Sequence, residues 1–384
     1  MQLKLRKLLP AFGLMCVSMF ATASANTYNN SQSDSMSSSQ GSKDMSGKGT
    51  YERGTYREIT PTAGPRVAHG ADVFITADFI YWKAVQDGLD YAITGVLGNG
   101  ALLGGLVTVP PGITEKGSVS NPGFSFEPGF KIGLGLNLGH DGWDLTSEYT
   151  WYHSNQSNST SGVGITNAVP AVSQGLLAFG DVKRNASWDL HFNVIDLELG
   201  RSFYVSQFLT LRPHAGLKAT WQDQDSKTTI SPSEGFVIGG QQQSQPNNPY
   251  VSTQDHDTWG IGTRIGLDTS WYFVKNWSIY ADIAWTSMWT DYDVDRKDTL
   301  RLNDTDTVTF VNTNNSSYAV RFVGEFELGL RYEIWFYDDN YHFAIQAGWE
   351  QQVWVNYGNF IRLYNDVSGD LNMHGLNLKL RFDF

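Results

Sequence analysis

The stretch FSFEPGFKIGLGLNL, residues 124–138, places Phe124, Phe126, Pro128, Phe130, Ile132, Leu134, Leu136 and Leu138 on its even positions. The odd positions hold Ser125, Glu127, Gly129, Lys131, Gly133, Gly135 and Asn137. A period of two is the signature of a strand with one apolar and one polar face. Fifteen residues of it exceed the usual globular strand of about five or six and are long enough to cross a hydrocarbon layer at a tilt.

Working outward, the same alternation recurs at 73–81, 143–151, 209–221, 259–273, 277–289, 318–332, 341–355 and in the final GLNLKLRFDF. A further segment, 188–204, changes apolar phase between Val194 and Ile195, which reads as a β-bulge. These make ten strands. Long connections follow every odd strand (83–123, 154–187, 222–256, 291–317 and 356–371). Short ones follow the even strands, around His140-Asp141, Ser206-Gln207, Lys275-Asn276 and Asp338–Asn340. A chain that puts all its long loops at one end predicts an all-β fold: a transmembrane up-and-down antiparallel β-barrel of at least 10 strands, with short periplasmic turns and long extracellular loops. Extra strands near 91–109 or 305–312 would widen it, within a range of about 10 to 16.

With the apolar rows facing lipid, the inward rows carry Lys131, Glu148, Arg212, Arg264, Asp268, Asp282, Arg321, Glu325, Glu327, Arg331, Lys379 and Arg381 as pore-lining candidates. A soluble core does not hold so many charges, although the outer face of a two-sheet sandwich would. The tryptophans cluster near strand ends, as interfacial girdles require: Trp82, Trp151, Trp188, Trp221, Trp259 and Trp289 outside, and Trp143, Trp271, Trp277 and Trp335 on the periplasmic side.

The beginning of the chain supports export. Lys4, Arg6 and Lys7 precede an apolar run and the small-residue pattern Ala23-Ser24-Ala25, so residues 1–25 read as a signal peptide cleaved after Ala25. That places the protein in the outer membrane of a Gram-negative bacterium. Residues 26–70 are a Ser/Gly-rich leader that buries too little to fold, and 71–384 form the barrel. Cys16 lies in the signal, so the mature chain has no thiol or disulfide. Loss of three basic residues moves the net charge from -12 to about -15, which argues against a nucleic-acid partner.

Catalytic signatures are lacking: there is no HExxH, no GxSxG after a strand and no Walker loop. GVLGNGALLGG at 95–105 reads as a flexible apolar loop. The eight histidines show no metal-ligand spacing, so no metal and no cofactor is expected. Asp255-His256-Asp257 at the outer rim is the one arrangement that suits a rim protease of the omptin type. Asp291, Asp293, Asp295, Asp298, Asp304 and Asp306 suggest calcium at an acidic loop, but the Gly and Glu of an EF-hand loop are missing. At least one of the apolar loop stretches Val96–Val109 and Ala168–Phe179 is expected to fold into the barrel mouth as a constriction or to pair as extra strands.

ADFIYWKAVQDGLDYA (77–92), FEPGFKIGLGLNLGHDGWDLTSEYTWYHS (126–154), NVIDLELGRSFYVS (193–206) and LTLRPHAGLKATW (209–221) together resemble the pore-forming major outer-membrane protein family of legionellae and chlamydia-related bacteria. The resemblance implies a porin: a passive water-filled channel for small hydrophilic solutes that is also a major surface protein, and not an enzyme. Alternatives are a surface adhesin or structural barrel without conductance and, further off, the rim protease. It implies as partners outer-membrane lipid and lipopolysaccharide, the outer-membrane assembly machinery, the solutes themselves, and a homo-oligomer. Similarity to barrel C-termini marks Leu376, Leu378, Leu380, Phe382 and Phe384 as the strand read by that machinery. Cysteine-rich members of the group are disulfide cross-linked; a mature chain without cysteine departs from them on that point.

Overall fold

The computed structural model describes residues 62–65, 67, 72–93, 118–138, 141–162, 177–178, 182–233, 235–238, 241–242, 244–361 and 367–384. The segments expected as signal peptide (1–25) and, for the most part, as leader (26–70), the glycine-rich 95–105 segment and nearly all of both apolar loop stretches lie outside them. Ten long strands form the wall: β1 Val73–Gln86, β2 Phe126–Asn137, β3 Trp143–Gly162, β4 Val182–Arg201, β5 Leu209–Pro232, β6 Tyr250–Val274, β7 Trp277–Arg301, β8 Thr307–Phe336, β9 Tyr341–Phe360 and β10 Val367–Asp383. Each pairs antiparallel with its chain neighbours, and β10 pairs with β1, so the sheet closes on itself. An eleventh strand, Phe203–Ser206, continues the line of β4 along β5.

The wall stays at ten long strands. Residues 307–312, expected as part of an added strand, only lengthen β8. Ala92–Ile93 pairs with Val119–Ser120 apart from the ring, and Leu177–Ala178 pairs with Phe236–Ile238 in a second small sheet. Much of what reads as long loops is strand: β7 and β8 run on to Arg301 and back from Thr307, far beyond the expected ends. Within the span expected as leader, Thr62 bridges Phe203 and the Ala63 amide donates to the Ser202 carbonyl at 3.1 Å.

No bulge interrupts β4. Its pairing with β3 and β5 is continuous, and the even residues point inward throughout. The apolar phase changes because the surroundings do. Ile195, Leu197 and Leu199 face outward in the lower half, while Trp188, Leu190, Phe192 and Val194 face inward in the upper half. On β7, Trp277, Ile279, Ile283, Trp285 and Trp289 are exposed outward, and beyond them Asp293, Asp295 and Lys297 take over that face while Tyr292 and Val294 turn inward. The lower half is therefore the membrane band, and the upper half is an extension whose outer face is polar and whose interior is apolar.

Small residues set the spacing inside. Gly135 on β2 lies under the Phe74 ring, where a Cβ has no room.

Candidate functional site

Inside the membrane band the inward charges form a lattice that spans the barrel. At the periplasmic end Arg212 on β5 reaches Asp144 on β3 and Asp268 on β6, each at 2.6 Å. Arg381 pairs with Asp383 at 2.7 Å, and Asp383 also meets His342 at 2.6 Å. Arg331 donates to the Ser270 hydroxyl at 3.2 Å. Higher up, Lys218 lies between Asp196 and Glu325, both at 2.8 Å. Arg264 joins Glu198 at 2.8 Å and also meets Glu325. Lys379 reaches Glu148 and Lys131 reaches Glu350, again at 2.8 Å, each from a strand three places away around the wall. Glu327 accepts from the Asn377 amide at 3.1 Å. Arg321 approaches the Tyr292 hydroxyl at 3.3 Å. Asp282 stands opposite Asp268 and Glu327 in register, and its Oδ1 has no hydrogen-bond partner. All twelve residues expected along the lumen project into it. Most of them hold each other rather than bordering a clear bore, which is how buried charges are tolerated.

Between these pairs lies a cavity of about 340 Å³, bordered by Arg264, Glu198, Glu325, Arg331 and, at the periplasmic end, Thr62–Pro65. Above it the lumen is filled with apolar side chains: Ile80, Trp82, Tyr152, Trp188, Phe192, Met288, Val323, Trp354, Tyr357, Leu371 and Met373 are all fully buried. Trp354 meets Phe192 edge-on at 5.3 Å, and the Tyr152 hydroxyl donates to the Trp82 carbonyl at 2.9 Å. Higher still, Arg296 and Asp298 form a buried pair at 2.6 Å, with the Tyr250 hydroxyl donating to Asp298 at 2.8 Å.

Three girdle assignments are corrected. Trp82 and Trp188 are each 1 % exposed and belong to this inner plug. Both lie on even positions of strands whose even row faces inward, so proximity to a strand end misassigned them. Trp143, Trp259, Trp271, Trp277 and Trp289 are exposed on the outer wall. Trp335 instead shares the inward row with Arg331 and Glu333, its ring 4.5 Å from that of its register partner His342, and borders the periplasmic end of the cavity. Trp151 stacks on the outward Phe130, and Trp221 stacks on Tyr149.

The rim arrangements come apart. His256 points inward, 2 % exposed, against the Phe360 ring at 4.8 Å, while Asp255 and Asp257 point outward. Alternation along a strand sends neighbours to opposite faces, so the triplet does not converge. Burial lowers the His256 pKa to about 4. The six aspartates of 291–306 are not one loop either. Asp298 is buried beside Arg296, Asp293 and Asp295 are outward on β7, and Asp304 and Asp306 sit at the β7–β8 turn.

A grouping that the sequence hid lies on the outer face. His153, Asp189 and His191 bring three ligand atoms within 4.8 Å of one another. The two histidines are 38 positions apart in the chain and register partners in the sheet, so only the pairing reveals them.

The family model described as the Legionella pneumophila major outer membrane protein precursor matches residues 65–384. The chain belongs to that family. This major outer-membrane protein family places it in the outer membrane, in agreement with its barrel. No curated protein matches the chain. Among solved structures, the outer membrane protease OmpT from Escherichia coli is similar at 11% identity and a TM-score of 0.34, with 81% of this chain and 96% of that chain covered. The Pseudomonas putida toluene transporter TodX matches at 8% and 0.29, covering 81% and 89%. The attachment invasion locus protein Ail of Yersinia pestis matches at 8% and 0.19, covering 80% and 97%. At these values none of the three informs the function.

Proposed function

We propose that this member of the family is a surface-displayed structural barrel that holds no standing water-filled bore. The observation that carries the reading is the plug: β1, β3, β4, β7, β8, β9 and β10 all send fully buried apolar side chains into one layer of the lumen. Ten strands enclose little more than the eight whose interior side chains fill, and here the side chains do fill it. In this reading lipid and lipopolysaccharide surround the girdled wall, and the assembly machinery reads the β10 row ending in Phe384. Catalysis has no part in it.

The porin reading stands second, favoured by the charged cavity of about 340 Å³ below the plug. Passage of small hydrophilic solutes then requires the plug to move aside. Planar-bilayer recording of the purified, refolded protein separates the two. The wild type is expected to show no stepwise conductance, and the Trp82→Ala, Trp354→Ala double variant to conduct. Regular steps in the wild type would return the porin reading.

A further inference from the structure

We propose that His153, Asp189 and His191 form a binding site for a divalent transition-metal ion of the zinc class, on the outer face of the barrel just above the outer girdle. Asp189 and His191 are two positions apart on β4 and so share a face, and His153 faces His191 directly from β3. The His191 Nε2 lies 3.1 Å from one Asp189 oxygen, and the His153 Nε2 lies 3.8 Å from the other. A tetrahedral ion with ligands at about 2.1 Å holds its donor atoms about 3.4 Å apart. Small rotations of the three side chains bring them to that spacing.

The surroundings are those of a ligand set. Asn155 donates to an Asp189 oxygen at 2.7 Å, the kind of supporting hydrogen bond that orients a ligating carboxylate. The His153 ring stacks on Trp151, and its Nδ1 is shielded without a partner, so its Nε2 is the atom left to bind. Next to the triad, Asp225 stands opposite Asp189, and Asp255 and Asp257 extend the same rungs on β6. Like charges directly opposite each other in a sheet are destabilising, and a bound cation offsets that. Two imidazoles select zinc-like ions over calcium, which prefers oxygen alone. Three protein donors leave one coordination position open to the outside.

The test uses refolded full-length protein in detergent, with Zn2+ titrated by calorimetry and Co2+ as a spectroscopic stand-in. One Zn2+ per chain is expected, with tetrahedral visible absorption for Co2+. Affinity should fall about tenfold or more in His153→Ala and in His191→Ala, both keeping the heat-modifiable mobility of a folded barrel. Unchanged affinity in both variants would overturn the proposal. So would displacement of the ion by millimolar Ca2+, which would assign it to the aspartate rungs. Neither outcome depends on conductance.

Discussion

The same ten strands build two different interiors. In the membrane band the outside is apolar and the inside is a lattice of ion pairs; a few residues further along, the outside carries Asp255, Asp257, Asp293 and Asp295, and the inside is Trp, Tyr, Met and Leu. Backbone pairing does not change at the crossing, since the register of β6 with β7 runs unbroken from Tyr250 to Tyr272. The solvent outside changes. Against water, burying apolar groups inside is the favourable arrangement, as in any globular core. Against lipid that gain is absent on the inward face, and the interior can be polar provided its charges are paired. The upper half is thus a water-soluble barrel resting on a membrane one.

Five changes would break or sharpen that contrast. Removing Phe384 has the largest expected effect: its amide and carbonyl both bond Val73, at 3.0 and 3.3 Å, where the membrane band closes. Surface levels, measured by protease shaving, should collapse. Normal levels would mean that the upper half, where β1 and β10 pair as far as Gln86 and Leu371, closes the ring unaided. Lys218→Met leaves Asp196 and Glu325 short of a buried cation and should cost about 3–5 kcal/mol in urea unfolding. An unchanged midpoint would show that the lattice is not what holds the lower interior.

The outward faces provide a paired comparison. Ile265, 60% exposed and midway between Trp259 and Trp271, becomes a lipid-facing charge in Ile265→Arg, at a cost of about 2–4 kcal/mol. Asp255→Arg, on the same face of β6 above the girdle, should stay within about 0.5 kcal/mol of wild type. Equal effects would displace the membrane boundary drawn here. The last effect is one of pH, and it is confined to acid conditions. His256 is held neutral by burial, its pKa lowered to about 4, whereas the unfolded chain takes up a proton near pH 6.5. Stability is therefore complete above about pH 6.5 and falls as the pH drops toward 4, by ~3 kcal/mol at most. His256→Leu should flatten the dependence of unfolding on pH across that window. A slope equal to wild type would remove His256 as its cause.

The membrane half was legible in the sequence because its rule is constant: from Trp259 to Phe273 or from Trp277 to Trp289, one row is apolar and the other is not. The upper half reads as loops because the alternation persists there with its sense reversed. Asp291, Asp293 and Asp295 look like an acidic loop until β8 is seen to pair beside them. The apparent bulge at Val194 is the same reversal, occurring within one strand. Phase alone identifies the twelve lumen charges, yet phase says nothing about their partners. Lys131 and Glu350 are 219 positions apart, and only the curvature of the wall brings them together. The His153 and His191 pair was hidden for the same reason.

The seam between β1 and β10 also bears on how the molecule is made. Its register joins Phe74 to Asp383, about three hundred residues later in the chain. During synthesis every neighbouring pair of long strands that does not involve β10 has both members available before this one, so the ring stays open until β10 has emerged. Contacts of such long range form slowly, and until they form β1 keeps an unpaired edge. A prematurely stopped chain thus carries its own mark of incompleteness, a free first strand, for any envelope protease or chaperone that recognises exposed edges.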